Sequence, residues 1–168
     1  MRAPAPWFWV AVVGAGGGGA RPEDLAAAED AGAAVAEAGA GLVCGGLGGV
    51  MEAACRGARS RGGVTLGLLP GVDREDANGW VTVAVPTGLG EGRNVLVVRA
   101  ADAVVAIGGG WGTLSEIALA LKAGRPVVGV RTWEPRRGAE LVSGVVAAED
   151  GRAAVGMALE LAGRGPDH

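Results

Sequence analysis

The chain has 168 residues, of which 49% are hydrophobic, and a formal net charge of −3. This length suits one ordinary domain spanning residues 1–168, and the apolar content argues against a disordered chain. The acidic balance, with basic residues scattered apart from Arg136 and Arg137, excludes a surface built to hold nucleic-acid backbone, so no nucleic-acid partner is expected.

In chain order the pattern is strand, glycine turn, helix, repeated. Residues 7–13 form a first apolar strand, centred on 9–13, followed by a glycine turn at 14–19. Pro22, with Glu23 and Asp24 beside it, opens a helix that runs to about residue 38. A second unit follows: strand 41–44, turn 45–49, helix 50–60. A third strand is expected at 64–69, a polar loop at 72–79, a fourth strand at 80–85 and a helix near 92–100. Strand 103–107, turn 108–112 and helix 113–123 come next, then strand 126–130, a weak strand near 141–146 and a last helix near 150–162. Such alternation predicts an α/β, Rossmann-like, doubly wound parallel sheet of about six or seven strands with helices on both faces. The turns after strands one, two and five then share one sheet edge and gather at the switch in strand order.

The residues that are missing constrain the chemistry. The only histidine is His168 and the only lysine is Lys122, and there is no tyrosine. A His-based triad or a zinc site of several histidines is therefore set aside, and acid–base work falls to Asp or Glu with Arg as partner. Cys44 and Cys55 make no CxxC and no metal-ligand spacing, so no metal is expected and a reduced, cytoplasmic setting is. Met1-Arg2 and the apolar residues after it imitate a signal peptide only faintly, and the strand reading fits better. No apolar run approaches the ~18 residues of a membrane span, so no membrane partner is expected.

Three glycine clusters are candidate ligand sites. Gly14, Gly16 and Gly19 fit GxGxxG, but strand two ends at Cys44-Gly45-Gly46 with no acid to hold a ribose, so dinucleotide binding is not indicated. Gly45, Gly46 and Gly48 could bring backbone N–H groups to an anion, or only shape a turn. The third cluster, Gly108-Gly109-Gly110-Trp111-Gly112-Thr113-Leu114-Ser115-Glu116, follows a strand and opens a helix. N–H groups from Gly110 to Thr113 and the Thr113 hydroxyl suit a phosphate. Thr113 and Glu116 also have the spacing of a capping box. Leu114, Ile117, Ala118 and Leu121 fall at core spacing, which leaves Glu116 nearly opposite, facing ligand or water. Trp111 could stack on a planar ring or pack at a subunit contact.

This third motif resembles PGGxGTxxE, the hallmark of the LOG superfamily, whose members are sometimes labelled possible lysine decarboxylases. It departs at one position, where Gly108 stands for the proline. The runs Pro86-Thr87-Gly88-Leu89-Gly90-Glu91-Gly92-Arg93-Asn94 and Cys44-Gly45-Gly46-Leu47-Gly48-Gly49-Val50-Met51 resemble the same family, and the likeness covers most of residues 9–131. The resemblance implies a nucleoside 5′-monophosphate phosphoribohydrolase that releases base and ribose 5-phosphate. It makes Glu116 and Arg93 the catalytic pair, gives Gly109, Gly110, Gly112 and Thr113 the phosphate, and suggests a homodimer or larger homo-oligomer. No cofactor is implied. Asn94 after the arginine and the GGG variant look more like a shorter bacterial branch, similar to molybdenum-cofactor carrier proteins, which hold a phosphorylated pterin without transforming it. A pyridoxal-dependent decarboxylase is rejected. Lys122 lies nine residues beyond Thr113, about 13 Å along a helix.

Overall fold

The computed structural model describes residues 8–142 and 144–163. Trp7, Ser143, the opening Met1-Arg2 and His168, to which some expectations attach, lie outside them. Seven strands form one sheet: β1 (Trp9–Gly14), β2 (Gly41–Cys44), β3 (Thr65–Leu69), β4 (Val83–Pro86), β5 (Ala103–Ile107), β6 (Val127–Val130) and β9 (Val145–Ala147). Their order is β4-β3-β2-β1-β5-β6-β9, and every neighbouring pair is parallel. The short strands β7 (Arg136–Arg137) and β8 (Glu140–Leu141) pair separately as a hairpin. The chain moves outward from β1 through β4 and then returns to β5 on the other side of β1. That reversal puts the turns after β1 and β5 side by side.

Period-two alternation divides the core. Val10, Val12, Val105 and Ile107 pack beneath α1 (Pro22–Glu37), α2 (Val50–Ser60) and α5 (Gly151–Leu161). Ala11, Val13, Val104 and Ala106 pack beneath α3 (Asn94–Arg99) and α4 (Trp111–Lys122). The Rossmann-like, doubly wound architecture is as expected. No helix among the described residues is long and apolar enough to cross a membrane.

Helices α1 and α2 cross at glycine. A Cβ on Gly32 would lie 1.9 Å from the Ala54 carbonyl oxygen, and one on Gly57 would lie 2.0 Å from that of Glu29. Both are backbone atoms that cannot swing aside. Gly32→Ala is therefore expected to destabilise the fold by about 2 kcal/mol, as overpacking does. Thermal melting read by circular dichroism checks this.

Several element boundaries differ from expectation. Strand β4 begins at Val83 rather than at residue 80. The buried Thr65 hydroxyl donates to the Trp80 carbonyl at 2.7 Å and the Thr65 N–H donates to Thr82 Oγ1 at 3.1 Å, so side chains replace backbone pairing ahead of the Thr82 N–H bond to the Thr65 carbonyl at 3.0 Å. A 3-10 turn at Gly90–Arg93 precedes α3, which starts at Asn94. Helix α4 starts at Trp111, two residues earlier than expected, with Gly110 as N-cap and no side-chain cap. The capping box between Thr113 and Glu116 is thus absent, because Thr113 already lies inside the first turn. The expected weak strand at 141–146 is replaced by the β7–β8 hairpin and then β9.

Candidate functional site: a glycine-walled cleft at the switch point

The inward face of α4 carries Thr113, Glu116, Ile117 and Ala120. Leu114 and Leu121 are only half-buried and Ala118 is exposed, so the expected apolar stripe is corrected. The cause is local. The first two turns of α4 overlie a cleft rather than core, so polar residues occupy their inner face. Glu116 accordingly faces inward and is 7% exposed.

The cleft has a volume of about 740 Å3 and lies at the carboxyl edge of the sheet. From the turn after β1 come Gly14, Gly16 and Gly19; from the turn after β2 comes Gly45; from the segment before α3 come Gly90, Glu91, Arg93 and Asn94. The turn after β5 and the start of α4 supply Gly109, Gly110, Trp111, Gly112, Thr113, Ser115 and Glu116. Residues from three glycine turns and the Arg93 segment therefore meet in one place. Gly46 and Gly48 fall outside the lining. Gly46 packs on Leu69, where a Cβ would lie 2.8 Å from a methyl carbon, and Gly48 sits near Gly17. Gly14 combines both situations, lining the cleft while leaving no room for a Cβ, which would come within 2.5 Å of the Ile107 carbonyl oxygen.

The turn after β5 is built to expose N–H groups. Gly109 has φ +101°, and a Cβ there would lie 2.2 Å from Thr113 Oγ1, so the turn closes directly over the threonine hydroxyl. Leu114 is the first residue to donate back to Gly110. The N–H groups of Trp111, Gly112 and Thr113 consequently have no acceptor within the helix, and they point where an anion gains from the helix dipole.

Opposite this turn, Arg93 is 8% exposed, and its Nε is buried without a hydrogen-bond partner. Its guanidinium lies against the bare Cα of Gly45. A Cβ there would fall 2.1 Å from Nη1, so glycine at 45 makes room for the cation. Burial raises the Glu116 carboxyl from 4.5 to about 7, and the charge of Arg93 offsets part of that rise. The two side chains share the cleft without a direct ion pair. Asn94 Nδ2 donates to Ser115 Oγ at 3.2 Å across the same cleft.

Trp111 is 78% exposed and stacks on Trp133, with ring centroids 5.4 Å apart and planes at 30°. Trp133 Nε1 in turn donates to the Gly110 carbonyl at 3.1 Å. Sequence reasoning missed Trp133, because nothing in its neighbourhood marks a return to the cleft. It also missed Met51, Pro70 and Ser115 as lining residues. Ser115 lay inside a motif already singled out, but its spacing alone gives no direction. Lys122 is the last residue of α4, at the end away from the cleft.

A protein of Archaeoglobus fulgidus is 44% identical over 97 residues, a match spanning 58% of this chain and 64% of that protein's length. The chain is similar to the molybdenum cofactor binding protein of Rippkaea orientalis, with TM-score 0.82 and 33% identity over 92% of this chain and 96% of that one. It is also similar to the molybdenum cofactor carrier protein of Chlamydomonas reinhardtii, with TM-score 0.79 and 31% identity over 92% and 97%. The profile of the SLOG cluster4 family matches residues 8–155, and the chain belongs to that family.

Proposed function

We propose that the cleft holds a phosphorylated ring compound, its phosphate on the Gly109–Thr113 turn, and that the protein is a carrier for a phosphopterin of the molybdenum-cofactor kind. The observation that carries the first half is the uncapped start of α4, where Trp111, Gly112 and Thr113 present N–H groups beside the Thr113 hydroxyl. The similarity to two molybdenum-cofactor proteins across nine-tenths of the chain supports the second half. Arg93 supplies a buried cation for a ring oxygen or a second anionic group, and the Trp111–Trp133 stack offers a rim against which a flat ring can lie. The two buried thiols, Cys44 and Cys55, lie 3.5 Å apart and unbridged, which suits a reduced cytoplasmic setting.

A second reading has its own observation. Glu116 is buried in the cleft with its carboxyl near 7, which supports its use as an acid–base group for cleaving the N-glycosidic bond of a nucleoside 5′-monophosphate. In that step the bond electrons leave with the base. Glu116 accepts a proton from the attacking water, and the hydroxyl adds to the sugar. One experiment separates the readings. Purified protein is incubated with a phosphopterin and, separately, with a panel of nucleoside monophosphates, and products are followed by chromatography. The carrier reading expects the pterin to be retained unchanged and no base to be released. Base release that disappears in Glu116→Gln overturns it in favour of the hydrolase.

A further inference from the structure

Beyond the glycine turn, on the β6 side, a second chamber of about 540 Å3 opens. Gly19 and Gly109 line both chambers, so the two are neighbours. Three arginines reach the second chamber: Arg21 at the N-cap of α1, Arg131 just past β6, and Arg136 in β7. Its carboxylates are Asp24 and Glu134.

The two carboxylates are already engaged. Asp24 is 5% exposed and accepts from Arg131 Nε at 3.1 Å, while Arg131 Nη2 donates to the Glu23 carbonyl at 2.8 Å. Glu134 lies 3.9 Å from Arg136 at the surface. Three cations against two anions leave the chamber positive within a chain whose net charge is negative.

The wall is also held in an unfavourable conformation. Arg131 is the one non-glycine residue among those described with positive φ, at 48°. The residues after it are tied to the phosphate turn. Thr132 Oγ1 donates to the Gly108 carbonyl at 2.6 Å, and Trp133 Nε1 donates to that of Gly110. Gly108 itself has φ +53°, and a Cβ on it would lie 2.5 Å from Asp24 Oδ2. Proline cannot take that φ. The glycine at this position is therefore coupled to Asp24 and to the arginine that Asp24 holds.

We propose that this chamber is a second anion subsite, so that the ligand is a pyrophosphate ester with one phosphate on the Gly109–Thr113 turn and the next at Arg21, Arg131 and Arg136. The inference rests on the reading that the turn holds a phosphate. Adjacent phosphates share a bridging oxygen, and the chambers share Gly19 and Gly109 in their lining, so a ligand with one phosphate on the turn carries its next one toward the arginines. Arginine binds phosphate by charge-assisted forked bonds, which adds affinity for the second group.

The test is calorimetric titration of inorganic phosphate and inorganic pyrophosphate into the full chain at fixed ionic strength. Two double variants are compared with it: Arg21→Ala/Arg136→Ala, and Arg59→Ala/Arg99→Ala as a charge-matched control. Arg59 and Arg99 end helices that lead into β3 and β5, so they lie at the opposite edge of the sheet. The wild type and the control are expected to prefer pyrophosphate by about tenfold or more. Arg21→Ala/Arg136→Ala should lose that preference while keeping its phosphate affinity. Equal affinity of the wild type for both anions, or a preference that survives in Arg21→Ala/Arg136→Ala or falls equally in the control, overturns the second subsite alone. Binding of neither anion overturns the phosphate reading of the turn as well.

Discussion

Gly109→Ala will weaken retention of a phosphorylated ligand by about 100-fold or more while leaving a folded protein. At φ +101° an alanine is strained, and its methyl group would overlap Thr113 Oγ1 at 2.2 Å and Thr113 Cβ at 2.4 Å. The turn must rotate away from the threonine, taking with it the alignment of the N–H groups at 111–113. A hydrogen bond to a charged group contributes about 1.5–3 kcal/mol. Losing two of them weakens binding by about 100-fold or more. Gly18→Ala is the matched control, because a Cβ there meets nothing within 4 Å. Equilibrium dialysis against a phosphopterin reads the difference. Equal binding by Gly109→Ala and the wild type would remove the turn from the site.

Glu116→Gln will change the pH dependence of stability. The folded protein holds the Glu116 proton up to about pH 7, whereas the unfolded chain releases it near 4.5. Between those values the folded state binds more proton, so its stability falls as pH rises through the window, by up to about 3 kcal/mol in all. Glutamine is neutral throughout and nearly isosteric with the protonated acid. The variant and the wild type should therefore melt together near pH 4, and the variant should melt higher near pH 8. Parallel melting curves from pH 4 to pH 8 would show that Glu116 ionises in the fold as it does in water.

The fold was legible because its signals are local. The apolar runs at β1 and β5 and the glycines that end them specify buried parallel strands and sharp turns without reference to anything distant. Helix α1 was equally clear, since Pro22 and the acids beside it mark its start. What was not legible depended on contacts across the sheet. Thr65 displaced the start of β4 through its own hydroxyl, and no pattern near residue 80 announces that. Trp133 reaches Gly110 from a different loop.

The site shows the same division. Its glycines and Thr113 were visible as a motif, and Glu116 was left facing either a ligand or water, but the apolar stripe expected opposite it is not the buried face of α4. Hydrophobic periodicity assumes that the inward face of a helix meets core, and the start of α4 meets a cleft instead. Arg93 was named by resemblance, while the reason it can sit there, the missing side chain at Gly45, needed coordinates. Gly108 looked like a simple departure from a motif. Its left-handed backbone and its contact distance to Asp24 give that departure a structural cause.

In the proposed carrier role the phosphate, held at the start of α4, anchors the ligand. The most direct test is one binding titration performed twice, with the same pterin in its phosphorylated and dephosphorylated forms, followed by the change in Trp111 and Trp133 fluorescence. Removing the phosphate is expected to weaken binding by about 100-fold, the contribution of two charge-assisted hydrogen bonds. Equal affinity for the two forms would contradict it, and would mean that the glycine turn shapes the fold without holding the ligand.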